Sequence, residues 1–154
     1  MKNSVLSIFM LAIVSCSSVE IKSSQSDVDA YFNNQDLTPK VDAYRHPKHG
    51  EVSLDDPRYT TDYENCLNES FEGKSYQFGS TTVSEPKKLM RYNLDKSIHA
   101  IKIITGRYEK GFKANAFFLD KQYSDIDKEI SDSFSKSVAC VKKKGWEEVR
   151  KNDQ

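Results

Sequence analysis

The chain has 154 residues, enough for one domain with little room for a second. Apolar residues make up 37% and charged residues 30%, so the core must be small, and eight Tyr and eight Phe supply much of its area. Lys plus Arg and Asp plus Glu number 23 each, which excludes a global basic field of the kind that gathers nucleic acid or an acidic membrane face.

Lys2 gives the chain a positive start, and Val5 to Val14 is an apolar run broken only by Ser7. Such a run covers about half of a bilayer, since a spanning helix needs roughly 20 residues. A positive start followed by a short apolar run reads as a secretory signal over residues 1–15. A buried N-terminal helix is the alternative, and the Ser-rich sequence that follows at once speaks against it. The run ends in Ile13-Val14-Ser15-Cys16. This stretch resembles the lipobox of bacterial lipoproteins: a branched apolar residue, a tolerated second residue, a small residue and then Cys. The resemblance implies cleavage before Cys16 and a lipidated Cys16 as first residue of the mature chain. Two or three acyl chains hold a protein almost irreversibly, because each buried methylene contributes about 0.8 kcal/mol. Ser17 follows in place of Asp, which under the enteric sorting rule implies passage to the outer membrane. Retention in the inner membrane and surface exposure stay open.

Residues 16–52 read as a flexible polar tether, rich in Ser, Asn and Gln and without a lasting apolar period. Val28, Tyr31 and Phe32 sit at helix-like spacing, so a short turn over 27–33 is the part of this stretch that docks. In Asp42 to Val52, His46 and His49 with Glu51 raise a metal site. Pro47 and Gly50 punctuate a turn there, and Arg45 and Lys48 repel a cation, so a basic turn is the better reading. His99 lies in an apolar segment and reads as a packed or surface residue.

The globular domain is expected over residues 53–150. Its first helix begins at Asp55 or Asp56 with Pro57 in the first turn, carries Tyr59, Tyr63, Cys66, Leu67 and Phe71 on one face, and ends at Gly73. Lys74 to Glu85 reads as a polar loop with at most a short extended piece. From Pro86, the residues Met90, Leu94, Ile98 and Ile101 form one helical stripe, whereas the β-branched run around Ile101 to Ile104 suits a strand. The predicted class is mainly α, with a β-hairpin over 96–119 making α+β the alternative. The last helix runs from Tyr123 to Gly145, with Ser124 or Asp125 as cap. Its stripe is Ile126, Ile130, Phe134, Val138 and Val141, with acids in its first half and Lys142 to Lys144 at its end, as the helix dipole favours.

With Cys16 lipidated, Cys66 and Cys140 remain as a pair in an oxidising compartment, where such pairs become disulfides. The bridge would close 75 residues, which loop-closure entropy values at roughly 4–5 kcal/mol. Two free buried thiols, or a redox or metal site, are the competing readings; no C-x-x-C is present.

The C-terminal stretch Cys140-Val141-Lys142-Lys143-Lys144-Gly145-Trp146 resembles a signature of small Gram-negative envelope lipoproteins: Cys, a basic residue, Gly and an aromatic, with an earlier Cys on a helix. Asp62-Tyr63-Glu64-Asn65-Cys66 fits that earlier position. The resemblance implies a bridge that staples two helices, a Gly that breaks the last, and Trp146 folded onto the bridge. Many such proteins have a glycine-rich apolar middle, but residues 86–120 contain only Gly106 and Gly111, which argues against membrane insertion of this segment. The family pattern carries no catalytic residue.

No nucleophile elbow, phosphate loop, H-E-x-x-H or dinucleotide fingerprint occurs. Asp125, Asp127, Glu129 and Asp132 match a glycosidase pair only in residue type, and acids at a helix start are ordinarily solvated. The expectation is a non-enzymatic, lipid-anchored envelope protein without cofactor or metal. It would face the periplasm and bind an envelope protein or peptidoglycan, not nucleic acid. The alternative is an inhibitor or immunity protein against a cell-wall-degrading enzyme or toxin.

Overall fold

The computed structural model describes residues 20–38, 43–107 and 114–149. The signal segment 1–15 and Cys16 lie outside these residues.

The first element is helix α1 (Gln25–Asn33). Ser24 caps it reciprocally with Asp27: the Asp27 amide donates to Ser24 Oγ at 3.2 Å, and the Ser24 amide donates to Asp27 Oδ2 at 3.0 Å. Val28 and Phe32, one turn apart, enter the core. Strands β1 (Ala43–His46) and β2 (Gly50–Val52) form an antiparallel hairpin, with Tyr44 opposite Val52. Residues 20–38 and 43–52 are therefore not the flexible tether that their polar composition predicts. Two buried apolar anchors and a sheet ladder offset the ordering cost that a polar stretch otherwise cannot meet.

Helix α2 (Pro57–Phe71) follows, with Asp56 as cap, Pro57 in its first turn and Tyr59, Cys66, Leu67 and Phe71 buried, as its spacing predicts. The predicted loop after it contains a second hairpin, β3 (Tyr76–Phe78) and β4 (Thr81–Val83). Its two-residue turn demands glycine: Gly79 has φ +61°, and a Cβ there would collide with Gln25 Oε1. Gln25 accepts from the Ser80 amide at 2.7 Å, which locks α1 onto this turn.

Helix α3 (Pro86–Thr105) resolves the helix-or-hairpin alternative for residues 96–105 in favour of helix, ending at Gly106 in the left-handed region. Its buried face is Leu89, Arg91, Tyr92 and His99, not the Met90–Leu94–Ile98–Ile101 stripe. A short helix α4 (Ala116–Leu119) and a 3-10 turn (Lys121–Tyr123) lead into α5 (Ser124–Lys143). Tyr123, rather than Ser124 or Asp125, occupies the cap position of α5. Strand β5 (Glu147–Val149) pairs antiparallel with β1, giving the sheet order β2-β1-β5. The class is mainly α with small antiparallel sheets.

Two apolar clusters fill the interior. The larger centres on Phe78, whose ring lies 5.0 to 5.6 Å from those of Phe32, Tyr92, Tyr123 and Phe117. Tilted and edge-on aromatic contacts of this kind each add about 0.5–1.5 kcal/mol beyond area burial. The smaller cluster holds Val52, Tyr59, Cys66, Val141 and Trp146.

Candidate functional site

Cys66 on α2 and Cys140 on α5 form a disulfide, with their Cα atoms 5.7 Å apart. That separation brings the two helices close, and it decides which residues of α5 face inward. Ile130, Ser133, Ser137 and Val141 are buried, while the bulkier Phe134 and Val138 of the predicted stripe are only half-buried. Small serines suit the crossing of tightly packed helices; a phenylalanine there would force them apart. Ser133 Oγ donates to the Glu129 carbonyl at 3.0 Å, so its burial leaves no unpaired hydroxyl.

Trp146 is buried in the cluster that holds Cys66, with Cys140 packed against it. The Gly145 backbone sits at φ +97°, and a Cβ there would lie 2.8 Å from His46 Nε2. The Trp146 amide donates to the Val141 carbonyl at 3.2 Å and its indole to Asp62 Oδ2 at 3.0 Å. Lys144 Nζ also reaches Asp62, at 3.0 Å. The indole bond first, and Lys144 second, hold the Asp62 carboxyl below its ordinary value.

The histidine turn belongs to this same corner. The His46 and His49 rings stack at 4.5 Å, and His46 lies 4.7 Å from Trp146. His46 Nε2 lies 3.0 Å from the Lys144 carbonyl, so that nitrogen carries the proton, and Nδ1 accepts from the Lys48 amide at 3.1 Å. Both ring nitrogens are thus engaged: the Nε2 bond ties the β1–β2 turn to the end of α5, and the Nδ1 bond closes the turn itself. Burial first, and the His46 ring second, keep the His49 imidazole below its ordinary value. Among the described residues no group of three or more His, Cys, Asp and Glu side chains stands in a metal-holding arrangement.

The acids of α5 are dispersed. Asp127 accepts from the Tyr92 hydroxyl at 2.7 Å and pairs with Lys96, whereas Asp125 and Asp132 are exposed to solvent. Burial, and then the Asp127 charge, push the Tyr92 hydroxyl far upward. His99 is buried, with its Nε2 accepting from the Asn115 amide at 3.2 Å and its ring 5.3 Å from Phe118.

Two features could not be placed from the sequence. First, buried Asp120 accepts from both the amide and the hydroxyl of Ser23, at 2.7 and 2.8 Å, and so clamps the start of the described chain to the segment before α5. Second, Ile98, Ile101 and Ile104 are 36%, 59% and 83% exposed along the outer face of α3. The stripe marks helix periodicity correctly, but periodicity does not say whether a partner covers the face. Among the described residues no helix is long and apolar enough to cross a membrane.

No family model matches this chain, and neither a curated protein nor a solved structure matches it.

Proposed function

We propose that the chain is a lipid-anchored envelope lipoprotein, held by acyl chains on Cys16 and facing the periplasm from the outer membrane. Its folded domain serves a structural or binding role, without catalysis, toward an envelope protein or peptidoglycan.

The observation that carries this reading is the Ile13-Val14-Ser15-Cys16 motif at the end of a short apolar run. The bridge between Cys66 and Cys140 supports it from a second direction. Disulfides belong to exported proteins, and this one leaves Cys16 as the odd cysteine of three. An odd cysteine immediately after a signal-like run has a chemical use as the lipid acceptor. The domain's polar interactions also suit a scaffold: Asp62, Asp127 and His46 spend their hydrogen-bonding capacity on joining elements.

Cys16→Ala tests the anchor. In cells fractionated after export, the wild-type chain should sediment with the outer membrane and extract only with detergent, while C16A should remain an uncut precursor or become soluble. Equal membrane partition of the two refutes the anchor. Pull-down from cross-linked cells addresses the partner: an envelope protein or wall fragment is the expected yield, and a toxin or wall-degrading enzyme would transfer the domain to the inhibitor reading.

A further inference from the structure

We infer that the clamp between Ser23 and Asp120 is a stand-off stop: it ends the leash at Ser23 and holds the root of the folded domain within about 25 Å of the membrane that carries Cys16. This rests on the lipid-anchor reading above and adds a height and a reach to it.

The stop is built from both sides. On the domain side, Asp120 is buried and its carboxylate is saturated: Oδ2 accepts from the Ser23 amide, the Ser23 hydroxyl and Gln122 Nε2, and Oδ1 accepts from the Gln122 amide. Hydrogen bonds to an ionised acceptor are about twice as strong as neutral ones, and a buried carboxylate that loses two of them is left undercompensated. Peeling Ser23 away is therefore costly. On the chain side, the residues after Ser23 cannot unreel. Gln25 Nε2 donates to Thr81 Oγ1 of β4 at 2.9 Å, the Tyr31 hydroxyl to Asp95 Oδ2 of α3 at 3.0 Å, and Gln35 Nε2 to the Lys88 carbonyl of α3 at 2.9 Å. Val28 and Phe32 are buried along the same stretch.

Chain length then sets the reach. The segment from Cys16 to Ser23 extends at most about 25 Å, whereas a tether over all of residues 16–52 would extend about 125 Å before the domain began. A folded domain of this length is about 35–40 Å across. The anchored chain therefore touches only what comes within about 65 Å of the bilayer surface, and its partner meets it inside that shell.

The test uses the lipidated chain reconstituted in vesicles of phosphatidylethanolamine and phosphatidylglycerol that carry an energy acceptor on their headgroups. A donor dye on Ser80→Cys reports height near the root of the leash, because the Ser80 amide donates to Gln25 Oε1 at 2.7 Å. A flexible run of about 30 Gly and Ser residues, with an r.m.s. span of about 30 Å, is inserted either between Ser18 and Val19 or between Lys40 and Val41. The first insertion lengthens the leash and should lower energy transfer by about two-fold or more. The second lies beyond the stop and should leave transfer at the parent value. Equal transfer in the parent and the Ser18–Val19 insertion, with both on vesicles, overturns the stand-off and leaves the anchor standing. An equal loss from both insertions overturns the stop and returns residues 24–38 to the leash. Protein that stays in the supernatant overturns anchor and stand-off together. Should the Lys40–Val41 insertion fail to fold, hydrogen exchange in the vesicle-bound parent decides the same point: protection of residues 24–38 equal to that of α2 supports the stop, and free exchange there overturns it.

Discussion

His99 shows how one side chain converts burial into pH sensitivity. Its ring sits between α3 and Phe118, with Nε2 accepting from the Asn115 amide. Burial first, and the Lys102 charge second, hold the imidazole below its ordinary value of 6.5. The folded state therefore prefers the neutral ring, while the unfolded chain takes up a proton near that ordinary value. Its contribution to stability is complete above pH 6.5 and is lost as the pH falls toward the depressed folded value. Chemical denaturation between pH 7.5 and 5 should show a loss of stability that His99→Gln reduces, measured against the other two histidines left in place. A loss identical in H99Q would remove His99 from the account. Trp146 and Gly145 make a related point. A helix stop and an aromatic cap also lock the His46 ring, and that link between residues 46 and 145 is a distance no local pattern carries.

At the scale of elements, the helices with strong local signals are where the sequence places them. Helix α2 has Asp56, Pro57 and a regular apolar spacing, and α5 has acids at its start and lysines at its end. Each signal acts within one or two turns, so it survives without knowledge of the partner. The hairpin Tyr76–Val83 is harder to read because its strands have three residues each, too few for alternation to stand out from a loop. Its clue is the Gly79-Ser80 pair between Phe78 and Thr81. Helix α1 illustrates the reverse case. Its surroundings read as tether, yet its capping box and the Val28 and Phe32 pair make it part of the core. Phe32→Ala should therefore destabilise the whole domain by about 3–5 kcal/mol, seen as a lower urea midpoint with a single transition. A tether residue would shift nothing, so an unchanged midpoint would return α1 to the leash.

The whole molecule depends on closures between distant segments. β5 pairs with β1, Ser23 reaches Asp120, Arg91 donates to the Thr38 carbonyl at 3.1 Å, and the disulfide joins α2 to α5. The covalent closure is the largest of these. Cys66→Ser should lower stability by about 4–5 kcal/mol, against the 5–15 kcal/mol typical of a domain, and should release a thiol at Cys140 that reacts with a disulfide reagent on unfolding. A guanidinium midpoint equal to that of the parent would mean that the bridge does not constrain the unfolded chain as loop closure requires.

What the sequence determined by itself was encoded over a few neighbouring residues: the helical class, the capped start of α2, the lysine-rich end of α5 and the turn at Pro47. The disulfide followed from counting cysteines after the lipobox resemblance. Tertiary structure alone decided which side of α3 and of α5 is inside. The close α2–α5 crossing turned Ser133 and Ser137 inward and left Phe134 half-buried. Phe117 and Phe118 on α4 meet α3 through Tyr92 and His99, so the stripe through Ile98 and Ile101 faces out. The reason is physical: periodicity fixes which residues share a face, but burial is a property of what packs against that face, and the packing partners here lie far away along the chain.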